Sequence, residues 1–158
     1  MLDLLAEAAV WLRGRGIVQW PDRFPVESVR GQIAAGEALL VCAGERAIGT
    51  VAVAESDTEL WGADTKPACY LSRLAVARSA GGTGLGYQII DWVEARAATR
   101  NLSHVRLATT STNAALRRYY ERAGFRHVAD PPAARWPTSL YQRAVRRTDV
   151  ATALEGLA

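Results

Sequence analysis

The 158-residue chain is poor in metal-ligating and redox-active residues, with two cysteines and two histidines. Cys42 and Cys69 stand 27 positions apart, with no CxxC pair and no clustered histidine. That spacing argues against a zinc site and against a disulfide framework, so no metal is expected. Both thiols lie inside apolar runs and are expected to be buried in the core. No apolar stretch approaches the roughly 18–20 residues of a membrane span, so no membrane partner is expected. No signal-peptide pattern opens the chain, and the expected location is the cytoplasm. Charge of one sign is also lacking. The 19 basic and 16 acidic residues leave a net +3, and they are scattered rather than gathered into a stripe, which argues against a nucleic-acid partner. Repeats, low-complexity tracts and long linkers are missing too. One domain is expected over residues 1–147, followed by a tail at 148–158.

What is present is an ordinary globular composition, 49% hydrophobic and 22% charged, enough for a real core. LDLLAEAAVWLR (2–13) has helical spacing and is stopped by Gly14 and Gly16. QWPDRFP (19–25) reads as a loop, and a second short helix starts at Val26. ALLVCAGERAIGTVAVAE gives two strands around a tight turn at Gly44-Glu45-Arg46. Asp57–Pro67 reads as a loop holding Trp61, and ACYLSRLAV (68–76) as a central strand. A helix is expected from about Leu85 to Arg100, a strand from His104, and a helix over Asn113–Ala123 with Gly124 as its stop. Strands over Phe125–Ala129 and Ser139–Val145 complete the series. This order predicts a single-domain α/β fold: a mixed central sheet flanked by helices, with a parallel crossover between the strand ending at Val76 and the one starting near His104.

The most informative stretch is RSAGGTGLGYQII (78–90), which crowds glycines between that central strand and a helix. A helix N-terminus offers unpaired N–H groups and the positive end of a dipole, so the expected ligand carries phosphate. Gly86 is followed by Tyr87 and Gln88 rather than Lys and Ser/Thr, which removes the P-loop. No register of Gly81, Gly82, Gly84 and Gly86 fits the dinucleotide fingerprint.

What remains, Gly82-Thr83-Gly84-Leu85-Gly86 after RLAV, resembles the acyl-CoA pyrophosphate loop of the GNAT superfamily of N-acetyltransferases, written [Q/R]-x-x-G-x-[G/A]. NAALRRYYERAGF (113–125) is similar to that family's second signature: Asn, Tyr seven residues later, then Gly-Phe. The resemblance spans roughly residues 26–145. It departs from the pattern at Gly81, where Gln or Arg is usual, and at the start, where the family's first strand is replaced by a helix. A sheet edge left without that strand would need cover, and a homodimer is one way to supply it.

The resemblance implies acetyl transfer from acetyl-CoA to a primary amine, small-molecule amines being the first expectation. The alternatives are a non-catalytic acyl-CoA sensor, or an enzyme acting on protein N-termini or lysines. It implies a cofactor site at Leu74, Ala75, Val76, Gly81, Gly82, Thr83, Gly84, Leu85, Gly86, Asn113 and Tyr120. A backbone N–H at a strand bulge, mapped to Leu74, Ala75 and Val76 with Val76 as the donor, would stabilise charge on the thioester carbonyl. Tyr120 would protonate the departing thiolate. No acidic residue stands at Tyr70 or Ser72, where many members carry the general base, so Glu55 or a water relay is expected in that role. Substrate contacts are expected from Gln19, Trp20, Trp61, Ser72 and Arg73, an aromatic set with a few polar groups.

Overall fold

The structure, a computed structural model, describes residues 1–63, 66–132 and 134–146. The expected tail at 148–158 lies outside the described residues. The elements are α1 (Leu2–Arg13), α2 (Val26–Ala34), β1 (Ala38–Ala43), β2 (Arg46–Ala54), α3 (Thr58–Trp61), β3 (Ala68–Val76), a 3₁₀ turn (Arg78–Ala80), α4 (Leu85–Thr99), β4 (His104–Thr110), α5 (Ala114–Arg122), β5 (Arg126–Ala129) and β6 (Thr138–Ala144). The strands form one sheet in the order β1-β2-β3-β4-β6-β5. β3 and β4 are its parallel pair, and α4 makes the crossover between them. No described helix is long and apolar enough to cross a membrane.

Alternation in the strands distributes the two faces. Val51, Cys69, Leu71, Val105 and Leu107 pack with Ile89, Ile90, Val93 and Ala97 of α4 in the main core, joined by Tyr120, Phe125 and Tyr141. Thr50 and Ala52 flank Val51, are fully buried, and lie outside that cluster. They face the other way, where α1 packs on β2 and β3 through Leu4, Leu5 and Ala9.

Chain reversals follow from local chemistry. Ala43 pairs Arg46 across a two-residue turn whose first residue, Gly44, has φ +61°, so Arg46 belongs to β2 rather than to the turn. α5 ends in a full Schellman motif: Phe125 N–H donates to the Tyr120 carbonyl, Gly124 N–H donates to the Glu121 carbonyl, and Gly124 has φ +85°. Two expectations need correction. Cys42 is exposed, because it lies on the outer face of the edge strand β1, while Cys69 is buried and its thiol is pushed up to about 11 by burial. Trp61 closes the helical turn α3, whose start is capped by the Asp57 carboxylate accepting from Leu60 N–H. α4 runs over Leu85–Thr99, as expected to within a residue, and Asn101 takes the left-handed conformation (φ +56°) that turns the chain toward β4.

Glu94, buried on α4, receives hydrogen bonds from the backbone and side chain of Arg146 and pairs with Arg143. Burial opposes its ionisation, but the hydrogen bonds from Arg146 and the charges of Arg143 and Arg146 prevail and hold its pKa below the ordinary value. A depressed carboxylate contributes stability above its unfolded pKa and loses it as pH falls through the folded pKa. Glu94→Gln is therefore expected to cost about 2–3 kcal/mol at pH 7 in chemical denaturation, with Arg143 left without its buried partner. The deficit should shrink as the pH is lowered below 4.

Candidate functional site

The site begins where the sheet comes apart. β3 and β4 pair only from Ala68/His104 to Leu71/Leu107, although β3 continues to Val76 and β4 to Thr110. Ser72 and Ala108, the next residue on each strand, are both exposed in the middle of a six-stranded sheet. On its other side β3 stays paired to β2 through a bulge. Thr50 opposes Ala75 and Ala52 opposes Ser72, so Arg73 and Leu74 together face Val51. Arg73 takes up the irregularity with φ +51°. The bulge thus lies two to three residues before Val76. Ala77 N–H donates to the Ile48 carbonyl of β2. Alternation along 74–77 then turns the N–H groups of Leu74 and Val76 away from β2 and into the gap.

The glycine loop caps the end of that gap, and its four glycines serve two different needs. Gly82 (φ +77°) and Gly84 (φ +82°) take left-handed conformations, with open space where a Cβ would stand. Gly84 is the N-cap of α4 and no side chain caps the helix, so its first amides face outward over a backbone that a ligand can approach closely. Gly81 and Gly86 instead make room for side chains. A Cβ on Gly81 would lie 3.2 Å from Nη2 of Arg78, and one on Gly86 would lie within 2.5 Å of the Tyr119 hydroxyl. Thr83 ties the loop down by donating to the Ala80 carbonyl, and Leu85 packs against the core.

Two guanidinium groups flank this loop. Arg78 lies over the Trp11 ring at 4.1 Å, and its N–H donates to the Glu7 carboxylate of α1. Arg46 reaches from the β-turn to donate to the Ser79 hydroxyl. Neither arginine figured in the sequence reading. The signal was available in RSAGG: a glycine at position 81 with an arginine three residues before it.

Tyr120 is buried against the rings of Tyr119 (5.5 Å between centroids) and Phe125 (5.8 Å). Burial, and then Tyr119, push its phenol well above the ordinary value, so it stays protonated across the physiological range. Among the described residues none hydrogen-bonds its hydroxyl. Tyr119 stacks on Tyr87 of α4 at 4.5 Å, and its phenol is pushed up to about 12, by burial and then by Tyr87. Asn113 is the N-cap of α5, accepting from Leu116 N–H, and its amide nitrogen donates to Gln19 at 3.0 Å.

The expected substrate residues fall into separate groups. Gln19 joins Asn113. Trp20 packs edge-on against Phe24, which lies under the Arg73 guanidinium. Trp61 meets Tyr70 and Arg106. Glu55 is not brought to the gap. It is ion-paired with Arg100 at the opposite end of β2, beside a cleft of about 460 Å³ that it shares with Tyr70 and Leu102. Ala54 pairs with Tyr70, six residues before Val76, which places Glu55 about 20 Å from the glycine loop at about 3.3 Å per residue.

Residues 4–125 match the family model described as Acetyltransferase (GNAT) family. Over 130 residues the chain is 32% identical to an uncharacterized N-acetyltransferase, YesJ, of Bacillus subtilis, covering 77% of this chain and 72% of that one. Among solved structures, a GNAT-family acetyltransferase from Listeria monocytogenes superimposes with a TM-score of 0.76 at 28% identity, covering 90% of this chain and 86% of that one. A GNAT-family acetyltransferase from Elizabethkingia anophelis, solved with acetyl-CoA bound, shares the fold with a TM-score of 0.58 at 18% identity, over 76% of this chain and 83% of that one.

The contact at Gly86 generates a prediction independent of any ligand. Gly86→Ala should destabilise the protein by about 1–3 kcal/mol through overpacking against Tyr119. Tyr119→Phe, which removes the obstructing hydroxyl, should recover most of that loss in the double variant. Thermal or denaturant unfolding of the four proteins measures the coupling.

Proposed function

Because the chain belongs to the GNAT family of acetyltransferases, we propose that it transfers an acetyl group from acetyl-CoA to the primary amine of a small molecule. The observation that carries this reading is the split between β3 and β4, which leaves the Leu74 and Val76 amides facing an open gap that ends at the glycine loop. The gap suits an extended acyl-pantetheine arm, and the uncapped start of α4 suits a diphosphate. Acetyl-CoA supplies an activated acyl group as a thioester. Every other contribution comes from the chain.

The amides of residues 82–86 bind the diphosphate, and Arg78 adds the positive charge that Gly81 does not carry. The Leu74 or Val76 N–H, fixed by the bulge, donates to the thioester oxygen as negative charge builds on it. Tyr120, protonated and without a hydrogen-bond partner among the described residues, delivers its proton to the leaving sulfur. Glu55 is too distant to take the proton of the incoming ammonium, and water in the gap beside exposed Ser72 takes it instead. Trp20, Phe24 and Gln19, brought to this side by α1 and the loop before α2, form one wall for the acceptor. Trp61, packed on Tyr70 of the cleft that Glu55 lines, lies away from this wall.

Thiol release from acetyl-CoA across a panel of primary amines tests the reading. CoA binding without thiol release from any amine would favour a sensor. Tyr120→Phe should lower kcat at least tenfold while leaving acetyl-CoA affinity by calorimetry within about twofold. Arg78→Ala should do the converse, raising KM for acetyl-CoA roughly five- to fiftyfold with a smaller change in kcat, as expected for loss of one charge-assisted phosphate contact. An unchanged kcat in the first variant removes Tyr120 from the chemistry.

A further inference from the structure

Arg73 stands at the bulge of β3, immediately before the amides that face the gap, and its backbone is held at φ +51°. Such a conformation is costly for a side chain with a Cβ and persists where the surroundings impose it. The guanidinium does not project into water. It lies 4.7 Å over the Phe24 ring and donates to three oxygens of α2: the Ser28 carbonyl, the Ser28 hydroxyl and the Gln32 amide oxygen. All three acceptors are neutral. They use three of the five N–H groups of the guanidinium and leave two.

The charge is the unusual part. Burial lowers the Arg73 pKa, yet no described carboxylate forms an ion pair with it. The nearby acids are committed elsewhere: Glu27 to Arg30, Asp22 to Arg13 and Asp3 to Arg23. A partly buried guanidinium usually has an anionic partner, and here the protein supplies orientation without supplying that anion. The group lies beside Trp20 and Phe24, on the wall assigned above to the acceptor, and next to exposed Ser72.

We infer that the acceptor amine also carries a carboxylate, which docks on the two remaining N–H groups of Arg73 while its amino group reaches the gap beside Leu74 and Val76. This inference rests on the acyl-transfer reading and narrows it to amino acids and related amino carboxylates. Phe24, Ser28 and Gln32 act as positioning residues that hold the guanidinium in place for that contact.

The test uses matched acceptors that differ only in the anion: glycine, β-alanine, 4-aminobutyrate and L-phenylalanine, each against its carboxamide. Wild-type kcat/KM is expected to favour the carboxylate of at least one pair by tenfold or more. Arg73→Gln should reduce that ratio to near one, and Arg73→Lys, which keeps the charge, should retain part of it. KM for acetyl-CoA reports on the loop and should move less than twofold in either variant. Equal or better turnover of the carboxamides overturns the inference. So does an Arg73→Gln loss that falls equally on both members of each pair, which would mark Arg73 as a tie between β3 and α2 only. Acetylation of other amines, with no carboxylate accepted, overturns it while leaving acyl transfer standing. Failure to bind acetyl-CoA at all overturns the broader reading instead.

Discussion

A strand in the middle of a sheet must satisfy hydrogen-bonding groups on both edges, and β3 does so for only half its length. From Ala68 to Leu71 it has neighbours on both sides; beyond Leu71 it keeps β2 and loses β4. Buried backbone N–H groups are rarely left without partners, so a central strand that gives up one side either opens to water or awaits a ligand. The bulge at Arg73 and Leu74 sets the phase of this exposure, since the extra residue decides which amides after it face β2 and which face the gap. The parallel pairing of β3 with β4 and the crossover through α4 fix where the opening lies, at the carboxyl ends of the strands, where open α/β sheets bind ligands.

Around this gap, groups that look like binding motifs also do structural work. The Tyr120–Phe125 signature is a Schellman stop whose two hydrogen bonds end α5 and bring the Phe125 ring to 5.8 Å from Tyr120. Asn113 is a helix cap that also holds Gln19. Gly81 and Gly86 admit Arg78 and Tyr119, whereas Gly82 and Gly84 are needed for their backbone angles. α1 seals the loop from behind through Glu7 and Trp11. The site's geometry is therefore secured by interactions that persist without ligand.

Much of this was legible in the sequence. The period of α4, the apolar run of β3 and the Gly124 stop gave elements that agree with the structure to within a residue or two. The two spaced signatures led to the GNAT family. What could not be read were relations across distant segments. Nothing in ALLVCAG says that β1 is an edge strand with Cys42 on its outer face. Nothing local says that Glu55, at the end of β2, pairs with Arg100 at the wrong end of the sheet. The span expected to hold the bulge, Leu74 to Val76, takes in Leu74 but not Arg73, because nothing in RLAV marks a left-handed backbone. Arg73 carries that conformation without being Gly or Asn. Arg78 escaped notice because its role depends on space left by Gly81.

Amide chemical shifts followed during a titration with acetyl-CoA test the central claim most directly. If the gap and loop receive the acyl-CoA, the Leu74 and Val76 amides and those of residues 82–86 will show the largest shifts, with amides on the β2-facing side of β3, such as Ala77, moving far less. Saturable binding that leaves Leu74, Val76 and the glycine loop unperturbed, or no binding at millimolar acetyl-CoA, would contradict it.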